Sequence, residues 1–375
     1  MRSPWSEIDL QGQEFERILL IKPSSLGDVV HALPVLHGLR RRYPNARIDW
    51  LISSSLAPLL EGHPDLNELV LFDRRRFGRM AYSPAAAADF VRFIQRLRMR
   101  RYDLVIDLQG LFRTGFLTRT SGAPVRIGFA GAREGAPLFY NHRVRRTARE
   151  QFGERLSVSE NPEAHAVDRN YSVARLLGFE DVPIEFHIPL SENDRGSAER
   201  LLRQAEWRNE QRLVAVVSGA RWETKVWLPQ RFAATIDELQ SGHDVRCVLL
   251  GGPDETARCA QIAAACRNAP INLAGQTSLR ALVAVLAKAD AVLCHDSGAM
   301  HVAVALDRPV VCLVGPTNPA RTGPYRRPDA VVRLDLDCAP CYLRKLSHCR
   351  FDHRCMEELA VTPVVSAVRR ALQPQ

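Results

Sequence analysis

The feature that most constrains the fold is a buried strand followed at once by a small-residue turn and a helix. The apolar run at residues 18–21 predicts the strand, and the apolar residues in 29–43 recur at helical spacing. The turn between them reads Lys-Pro-Ser-Ser-Leu-Gly-Asp, from Lys22 to Asp28. A unit of this kind opens a doubly wound α/β domain, which binds ligands at the carboxyl ends of its strands. We therefore expect Asp28 to lie at the mouth of a cleft.

Asp28 has two interpretations on local sequence alone. Gly27 lets a ligand approach the backbone closely, so that the neighbouring carboxylate can act on it. Alternatively, an Asp in the first turn of a helix only complements the helix dipole, with Ser24 or Ser25 as the cap. The local pattern favours neither over the other, since such motifs need a structural context.

Strand and helix patterns alternate along the chain and predict two α/β halves. Strands are expected at residues 17–21, 47–52, 68–72, 103–108 and 124–129, and again at 213–218, 245–250, 290–294 and 309–314. The periodicity breaks between residues 186 and 193, where we place a linker that separates domains 1–187 and 188–375. The predicted fold is two Rossmann-like domains with parallel sheets that face a cleft. The last helix, residues 363–372, is expected to pack across onto the first domain.

Composition excludes several classes of protein. No apolar run approaches the roughly 20 residues that span a bilayer, and residues 1–16 carry no signal-peptide core. These patterns predict a cytoplasmic protein, in which the nine cysteines are reduced thiols.

The positive charge is strongly clustered. The chain has 51 Lys and Arg against 42 Asp and Glu, and residues 74–101 hold nine Arg against one carboxylate. A second cluster contains Arg143, Arg145, Arg146 and Arg149. Such runs form either solvated helix faces or a surface for phosphates, acidic sugars or an anionic membrane. No zinc-finger, aromatic RNA-binding or basic-zipper pattern is present, so nucleic acid is not expected as a partner.

The second half carries a nucleotide-type pattern. Asp296-Ser-Gly follows a predicted buried strand and opens a helix, whose first N–H groups bind anions. Two neighbouring strands lead into loops that carry Arg221 and Lys225, which suit a diphosphate, and Glu255, which suits ribose hydroxyls. No Walker A or Gly-x-Gly-x-x-Gly motif follows a strand, which disfavours P-loop chemistry and nicotinamide binding. Helix capping alone is the alternative for Asp296.

These motifs, taken in order, resemble those of family-9 glycosyltransferases, the lipopolysaccharide heptosyltransferases, and type I more than type II. The resemblance covers residues 17 to about 325. It rests on the Lys22–Asp28 turn with Ala32-Leu-Pro34, Tyr102 to Gly110, Leu138-Phe-Tyr-Asn141, His165 to Arg169, Asp296-Ser-Gly298 with His301, and Gly315-Pro-Thr317. It implies the two-domain GT-B fold.

The resemblance also implies a reaction, its partners and its residues. Heptose is transferred from ADP-heptose, with inversion, to Kdo or heptose in the lipid-linked inner core, without metal or cofactor, at the cytoplasmic face of the inner membrane. Asp28 matches the general base, and Lys22, Ser25 and Gly27 are assigned to the acceptor. The donor contacts are assigned to Ala220, Arg221, Lys225, Glu255, Asp296, Ser297, Gly298 and His301.

Two features keep alternatives open. Ala220 and Arg221 stand where heptosyltransferase I has paired threonines, which supports a different nucleotide-sugar donor as an alternative. A scaffold that binds nucleotide without transfer is a separate alternative, and the joint presence of Asp28, Lys225, Glu255 and Asp296 argues against it. The cysteine-rich tail (residues 338–355) contains residues of zinc-ligand types, namely His348, His353 and four thiols. The first two thiols have the usual Cys-x2-Cys spacing but the second two are spaced more loosely, and packing of reduced cysteines is the alternative. The four are Cys338, Cys341, Cys349 and Cys355.

Overall fold

The computed structural model describes residues 10–79, 82–144, 164–242 and 244–373. The chain divides into two compact units, Met1–Pro189 and Leu190–Gln375. In unit 1 the described strands are β1 (Arg17–Ile21), β2 (Arg47–Ser53), β3 (Glu68–Phe72), β4 (Leu104–Asp107), β5 (Val125–Phe129) and β6 (His142–Val144). Its described helices are α1 (Leu26–Val30), α2 (Leu33–Arg42), α3 (Arg74–Phe77), α4 (Pro84–Met99), α5 (Phe112–Thr120), α6 (Ala166–Tyr171) and α7 (Ala174–Leu177).

Unit 2 repeats the alternation of strands and helices. Its described strands are β7 (Arg212–Val217), β8 (Val245–Leu250), β9 (Ile271–Asn272), β10 (Ala291–His295), β11 (Val310–Leu313) and β12 (Val331–Val332). Its described helices are α8 (Glu192–Gln204), α9 (Pro229–Gln240), α10 (Thr256–Ala265), α11 (Leu279–Lys288), α12 (Gly298–Ala305), α13 (Pro319–Thr322), α14 (Arg354–Glu357) and α15 (Val361–Ala371). None of the helices described in either unit is long and apolar enough to cross a bilayer.

Both sheets are parallel and share one strand order. Unit 1 has the order β3-β2-β1-β4-β5-β6, and unit 2 has β12-β11-β10-β7-β8-β9. Counted from the first strand of each unit, both orders are the 3-2-1-4-5-6 arrangement of the Rossmann fold. The strand order reverses between β1 and β4 and between β7 and β10. The carboxyl ends of these two strand pairs are therefore the expected ligand sites, and the prediction of two Rossmann-like halves is confirmed.

The central strands are buried on both faces, as parallel sheets with crossover helices require. Leu19 and Leu20 are adjacent in β1, point to opposite faces, and are both fully buried. In unit 2 the last helix, α15, contributes Val364, Val365 and Val368 to the main apolar core beside α9 and β11. The apolar face of this helix is thus packed within unit 2, and the expectation that it also packs across onto the first domain stays a prediction.

Two other expectations differ from the structure. The helix expected over residues 29–43 is two helices, α1 and α2, separated at His31 and Ala32. Pro34 lies in the first turn of α2, and a proline lacks the N–H that a continuous helix would need there. The edge strands β6, β9 and β12 were not predicted, because two or three residues are too few to show alternation.

Three residues of the second arginine cluster, Arg145, Arg146 and Arg149, lie outside the described residues.

Candidate functional site

Asp28 lies beyond the carboxyl end of β1, in the first turn of α1. Its Oδ2 accepts hydrogen bonds from the backbone N–H of Ser25, at 2.9 Å, and from the Ser25 hydroxyl, at 2.8 Å. This is a capping-box contact, which ties the turn to the helix. Its Oδ1 lies 3.8 Å from the Lys22 Nζ, and 43% of the Asp28 side chain is exposed. The carboxylate therefore caps α1 and still presents an oxygen to solvent beside a cation.

Lys22 connects the two loops at the reversal point of the first sheet. Its Nζ donates to the carbonyl of Leu108, at 2.8 Å, just after β4. The Lys22 carbonyl accepts from the indole N–H of Trp50 in β2, at 3.1 Å. Because Lys22 is only 5% exposed, its ammonium is held in one place and fixes a positive charge next to Asp28.

Asp107, the last residue of β4, holds the loop that follows this strand. It is fully buried, and its Oδ1 accepts from the N–H groups of Gln109, at 2.8 Å, and Gly110, at 3.1 Å. Its Oδ2 accepts from the Tyr140 hydroxyl, at 2.6 Å. Burial raises the pKa of Asp107, while these hydrogen bonds oppose the rise. Asp107 therefore holds the loop whose Leu108 carbonyl accepts the hydrogen bond from Lys22.

A cavity of about 680 Å³ opens at the same edge of the first sheet. Its polar lining combines hydroxyls, cations and carboxylates: Ser24, Ser25, Ser53, Ser54, Ser55, Arg74, Arg75, Arg113, Asp73 and Glu134. The sequence also predicts that the segment from Asp107 to Arg113, which follows the fourth strand, lines the same cleft as Asp28, and Arg113 does line this cavity. Sequence reasoning missed the serines at 53–55 and Glu134 as site residues. The available signal was their position after the predicted second and fifth strands, at the end where parallel strands present ligands.

Members of the arginine run occupy at least two different environments. Arg76 and Arg92 both pair with Asp89 on the face of α3 and α4, so their charge is locally balanced. Arg74 and Arg75 instead line the cavity. The run therefore includes both of the environments that its sequence left open, and only part of it faces a possible ligand.

Asp296 is the centre of the second site, at the carboxyl end of β10. Its Oδ2 accepts from the Lys225 Nζ, at 2.7 Å, the Thr317 hydroxyl, at 2.8 Å, and the Thr322 hydroxyl, at 3.1 Å. The Lys225 Nζ also donates to the Asp296 carbonyl, at 2.9 Å. Burial alone would raise the pKa of Asp296, but the Lys225 ammonium and these hydrogen bonds hold it below its ordinary value. Asp296 thus remains an anion that orients Lys225; Thr322 was not predicted from sequence.

The start of α12 completes this site. Ser297 is the N-cap residue of α12, yet its side chain makes no capping bond, and its buried hydroxyl has no hydrogen-bond partner in the described structure. Gly298 begins the helix, and the His301 Nε2 lies 4.0 Å from the Asp296 Oδ1. The first N–H groups of a helix have no partners within it. A hydroxyl and several amides are therefore available to an anion next to Lys225.

Glu255 approaches the loop after β7 from the loop after β8. Its Oε2 accepts from the N–H of Gly252, at 2.7 Å. A Cβ placed on Gly219 would lie 1.4 Å from the Glu255 Oε1, so a larger residue there would require the Glu255 side chain to move. The carboxylate therefore lies against Gly219, which directly precedes Ala220, half-buried, and Arg221, exposed.

His295 directly precedes Asp296 in the chain and hydrogen-bonds the loop after β7, which also carries Lys225. It is fully buried, and its Nε2 accepts from the backbone N–H of Trp227, at 2.9 Å. Burial lowers the pKa of His295 to about 3, so the ring is neutral at physiological pH.

The cysteine-rich tail contains free thiols in this structure. Cys341 is exposed and Cys355 is buried against the core of unit 2. Within the described ranges, no group of three or more His, Cys, Asp or Glu side chains is arranged to hold a metal ion.

The fold and these sites define a two-unit Rossmann-type protein with an anion-binding arrangement at a sheet reversal point. The family model for glycosyltransferase family 9 (heptosyltransferase) matches residues 90–350. The chain is 32% identical over 330 residues to lipopolysaccharide heptosyltransferase 1 of Pseudomonas aeruginosa, covering 87% of this chain and 86% of that one. It is 29% identical to lipopolysaccharide heptosyltransferase 1 of Escherichia coli K12, covering 84% and 93%. The chain belongs to glycosyltransferase family 9.

Solved structures agree with this assignment. The E. coli ADP-heptose lipopolysaccharide heptosyltransferase II has a TM-score of 0.73 at 25% identity, covering 95% of this chain and 98% of that one. The E. coli heptosyltransferase WaaC with ADP has a TM-score of 0.70 at 25% identity, covering 95% and 99%. The family resemblance, the GT-B fold and the glycosyltransferase class predicted from the sequence are confirmed.

Proposed function

We propose that this protein transfers heptose from ADP-heptose to the inner core of lipopolysaccharide, with inversion at the anomeric carbon. The observation that carries the proposal is the Lys225–Asp296 pair at the start of α12, in a chain whose relatives are lipopolysaccharide heptosyltransferases. One structural relative holds ADP, and another structure of WaaC holds ADP-2-deoxy-2-fluoro heptose.

Unit 2 is the donor unit in this proposal. Lys225, the Ser297 hydroxyl and the first amides of α12 bind the diphosphate, while Asp296 keeps the Lys225 ammonium in place. Glu255 accepts hydrogen bonds from the ribose hydroxyls. As the bond between the anomeric carbon and the diphosphate breaks, negative charge grows on the departing ADP, and these fixed groups stabilise it.

Unit 1 is the acceptor unit. Asp28 takes the proton of the acceptor hydroxyl while that oxygen forms its bond to the anomeric carbon. Lys22 orients Asp28 and contributes positive charge toward an acidic acceptor. The cavity cations, Arg74, Arg75 and Arg113, suit the carboxylates and phosphates of a core oligosaccharide. Ser25 and Gly27 complete the acceptor contacts.

A lipid-linked acceptor requires the protein to work at a membrane surface. We place it in the cytoplasm, in peripheral contact with the anionic face of the inner membrane. The net charge of +9 and the arginine run support this placement, because basic surface residues are attracted to anionic lipids.

The test of the base assignment uses two substitutions of Asp28. Asp28→Asn keeps an oxygen that can accept from the Ser25 N–H but cannot take a proton, whereas Asp28→Ala removes both capacities. Both variants are expected to lose transfer by about 10²–10⁴-fold while ADP binding is unchanged. Transfer by Asp28→Asn at the wild-type rate would show that Asp28 is not the general base and acts only as a helix cap.

The nature of the donor is tested by calorimetric titration with ADP, ADP-heptose, UDP-glucose and GDP-mannose. Selective binding of the adenine pair supports the proposal. Preference for UDP or GDP would favour a different donor, for which the Ala220–Arg221 departure is the supporting feature. Binding of ADP-heptose without turnover on any core acceptor would favour a non-catalytic scaffold.

A further inference from the structure

The cysteine-rich tail contacts the donor site although it belongs to none of the sheet elements. It follows β12 and contains little regular structure beyond one short 3-10 turn (Leu346–His348) and the start of α14. Most of its residues are exposed. At its end, Cys355 and the adjoining Met356 enter the core: a Cβ on Gly315 would lie 2.9 Å from the Cys355 sulfur and 2.7 Å from that of Met356.

The tail is attached to the loop after β11. The backbone N–H groups of Cys341 and Tyr342 both donate to the carbonyl of Pro316, at 3.1 and 2.8 Å. Pro316 directly precedes Thr317, whose hydroxyl donates to Asp296. The tail therefore fixes the backbone immediately before one of the partners of Asp296.

The tail is also attached to the loop after β7, through Thr224. The His353 Nε2 lies 2.8 Å from the Thr224 carbonyl, to which it must donate, and the Thr224 hydroxyl donates to the carbonyl of Leu343. Thr224 is only 2% exposed. It directly precedes Lys225, the other main partner of Asp296.

His353 is a buried residue in a tail that is largely open to solvent, since only 9% of the residue is exposed. Its φ of +54° lies in the left-handed region, which is uncommon for residues other than glycine but in which histidine is enriched. Its ring is hydrogen-bonded to the Thr224 carbonyl, so the residue joins the tail to the loop after β7.

We infer that the cysteine-rich tail is a clip that positions the diphosphate-binding groups, with His353 as its main positioning residue. The tail holds Thr224 and Pro316, and through them it sets where Lys225 and Thr317 meet Asp296. This inference rests on the proposed function, since it assumes that Lys225 binds the donor diphosphate.

The test compares ADP with adenosine, which lacks the diphosphate, by calorimetric titration. His353→Ala is expected to weaken ADP binding about tenfold, the typical cost of one lost hydrogen bond to a positioned group, and to leave adenosine binding unchanged. His353→Gln, whose amide can donate to the Thr224 carbonyl, is expected to retain most of the ADP affinity. His348→Ala, which removes an exposed histidine of the same tail, is the matched control and is expected to bind as wild type.

A second variant covers the case in which His353→Ala does not fold. Thr224→Val keeps the shape of the side chain but removes its bond to Leu343, and it is also expected to weaken ADP binding selectively. Wild-type ADP affinity in a folded His353→Ala protein overturns the inference, as does an equal loss of ADP and adenosine binding. Failure of the wild-type protein to bind ADP instead overturns the proposed function, and the inference with it.

Discussion

The Lys225 ammonium lies 2.7 Å from the Asp296 carboxylate, although the two residues are 71 positions apart in the chain. The contact joins the loops after β7 and β10, the two neighbouring strands at which the order of the second sheet reverses. Both groups are almost completely buried, with 13% and 4% of their side chains exposed. The pair keeps a cation fixed where a helix N-terminus already favours an anion.

Lys225→Met is expected to weaken ADP binding by about 10- to 100-fold, because a charge-assisted hydrogen bond contributes about 1.5–3 kcal/mol. It also leaves the Asp296 carboxylate buried without its cation, so thermal stability should fall. Adding Asp296→Asn removes that buried charge and is expected to recover stability but not ADP affinity. Calorimetry and thermal unfolding separate the two effects.

The control for this experiment is Lys288→Met, an exposed lysine at the end of α11. It changes the net charge by the same amount without touching the site. Equal weakening of ADP binding by Lys288→Met and Lys225→Met would mean that only net charge matters.

Tyr140→Phe is expected to destabilise the protein by about 1–3 kcal/mol, because it leaves one oxygen of the buried Asp107 without its donor. The loop that receives Lys22 loses part of its support, so acceptor turnover should fall as well. The measurement is the midpoint of urea unfolding. Tyr82→Phe, at a tyrosine that is 89% exposed, is the matched control and should leave the midpoint unchanged. A wild-type midpoint for Tyr140→Phe would show that Asp107 does not depend on this hydroxyl.

The stability of the protein is expected to decrease as the pH falls from 7 to 5, in part because of His295. Burial lowers the pKa of His295 to about 3, whereas an unfolded histidine titrates near 6.5. Between these values the unfolded chain binds a proton that the folded chain does not bind. Each pH unit below 6.5 therefore costs up to about 1.4 kcal/mol of unfolding free energy.

Urea unfolding at pH 7, 6 and 5 checks this expectation. His295→Gln removes the titration but can still accept from the Trp227 N–H, so its slope against pH should be smaller than that of the wild type. His63, whose pKa burial lowers to about 4, contributes with the same sign and remains in the variant. An unchanged slope in His295→Gln would show that the pKa of this histidine is the same in the folded and the unfolded protein.

Much of the fold was predictable from local patterns. All the longer strands were placed to within a residue or two, because a buried parallel strand is a short apolar run bounded by turn residues. The edge strands and the break between α1 and α2 were not predicted, since the first are too short for a pattern and the second depends on a single proline.

The candidate site was predictable only as separate pieces. The sequence by itself determined that Asp28, Lys225, Glu255 and Asp296 follow strands, where parallel sheets present ligands. It did not show that Thr322 contacts Asp296, or that Asp107 is fully buried under Tyr140.

The tertiary structure decided which of these pieces meet. Strand order places β4 beside β1 and β10 beside β7, and so brings Leu108 to Lys22 and Asp296 to Lys225. Periodicity reports the burial of a residue against its own neighbours and carries no information about which distant strand lies alongside. Contacts between residues 71 and 86 positions apart are fixed by sheet topology and packing, and these contacts hold the charged groups of both sites in place.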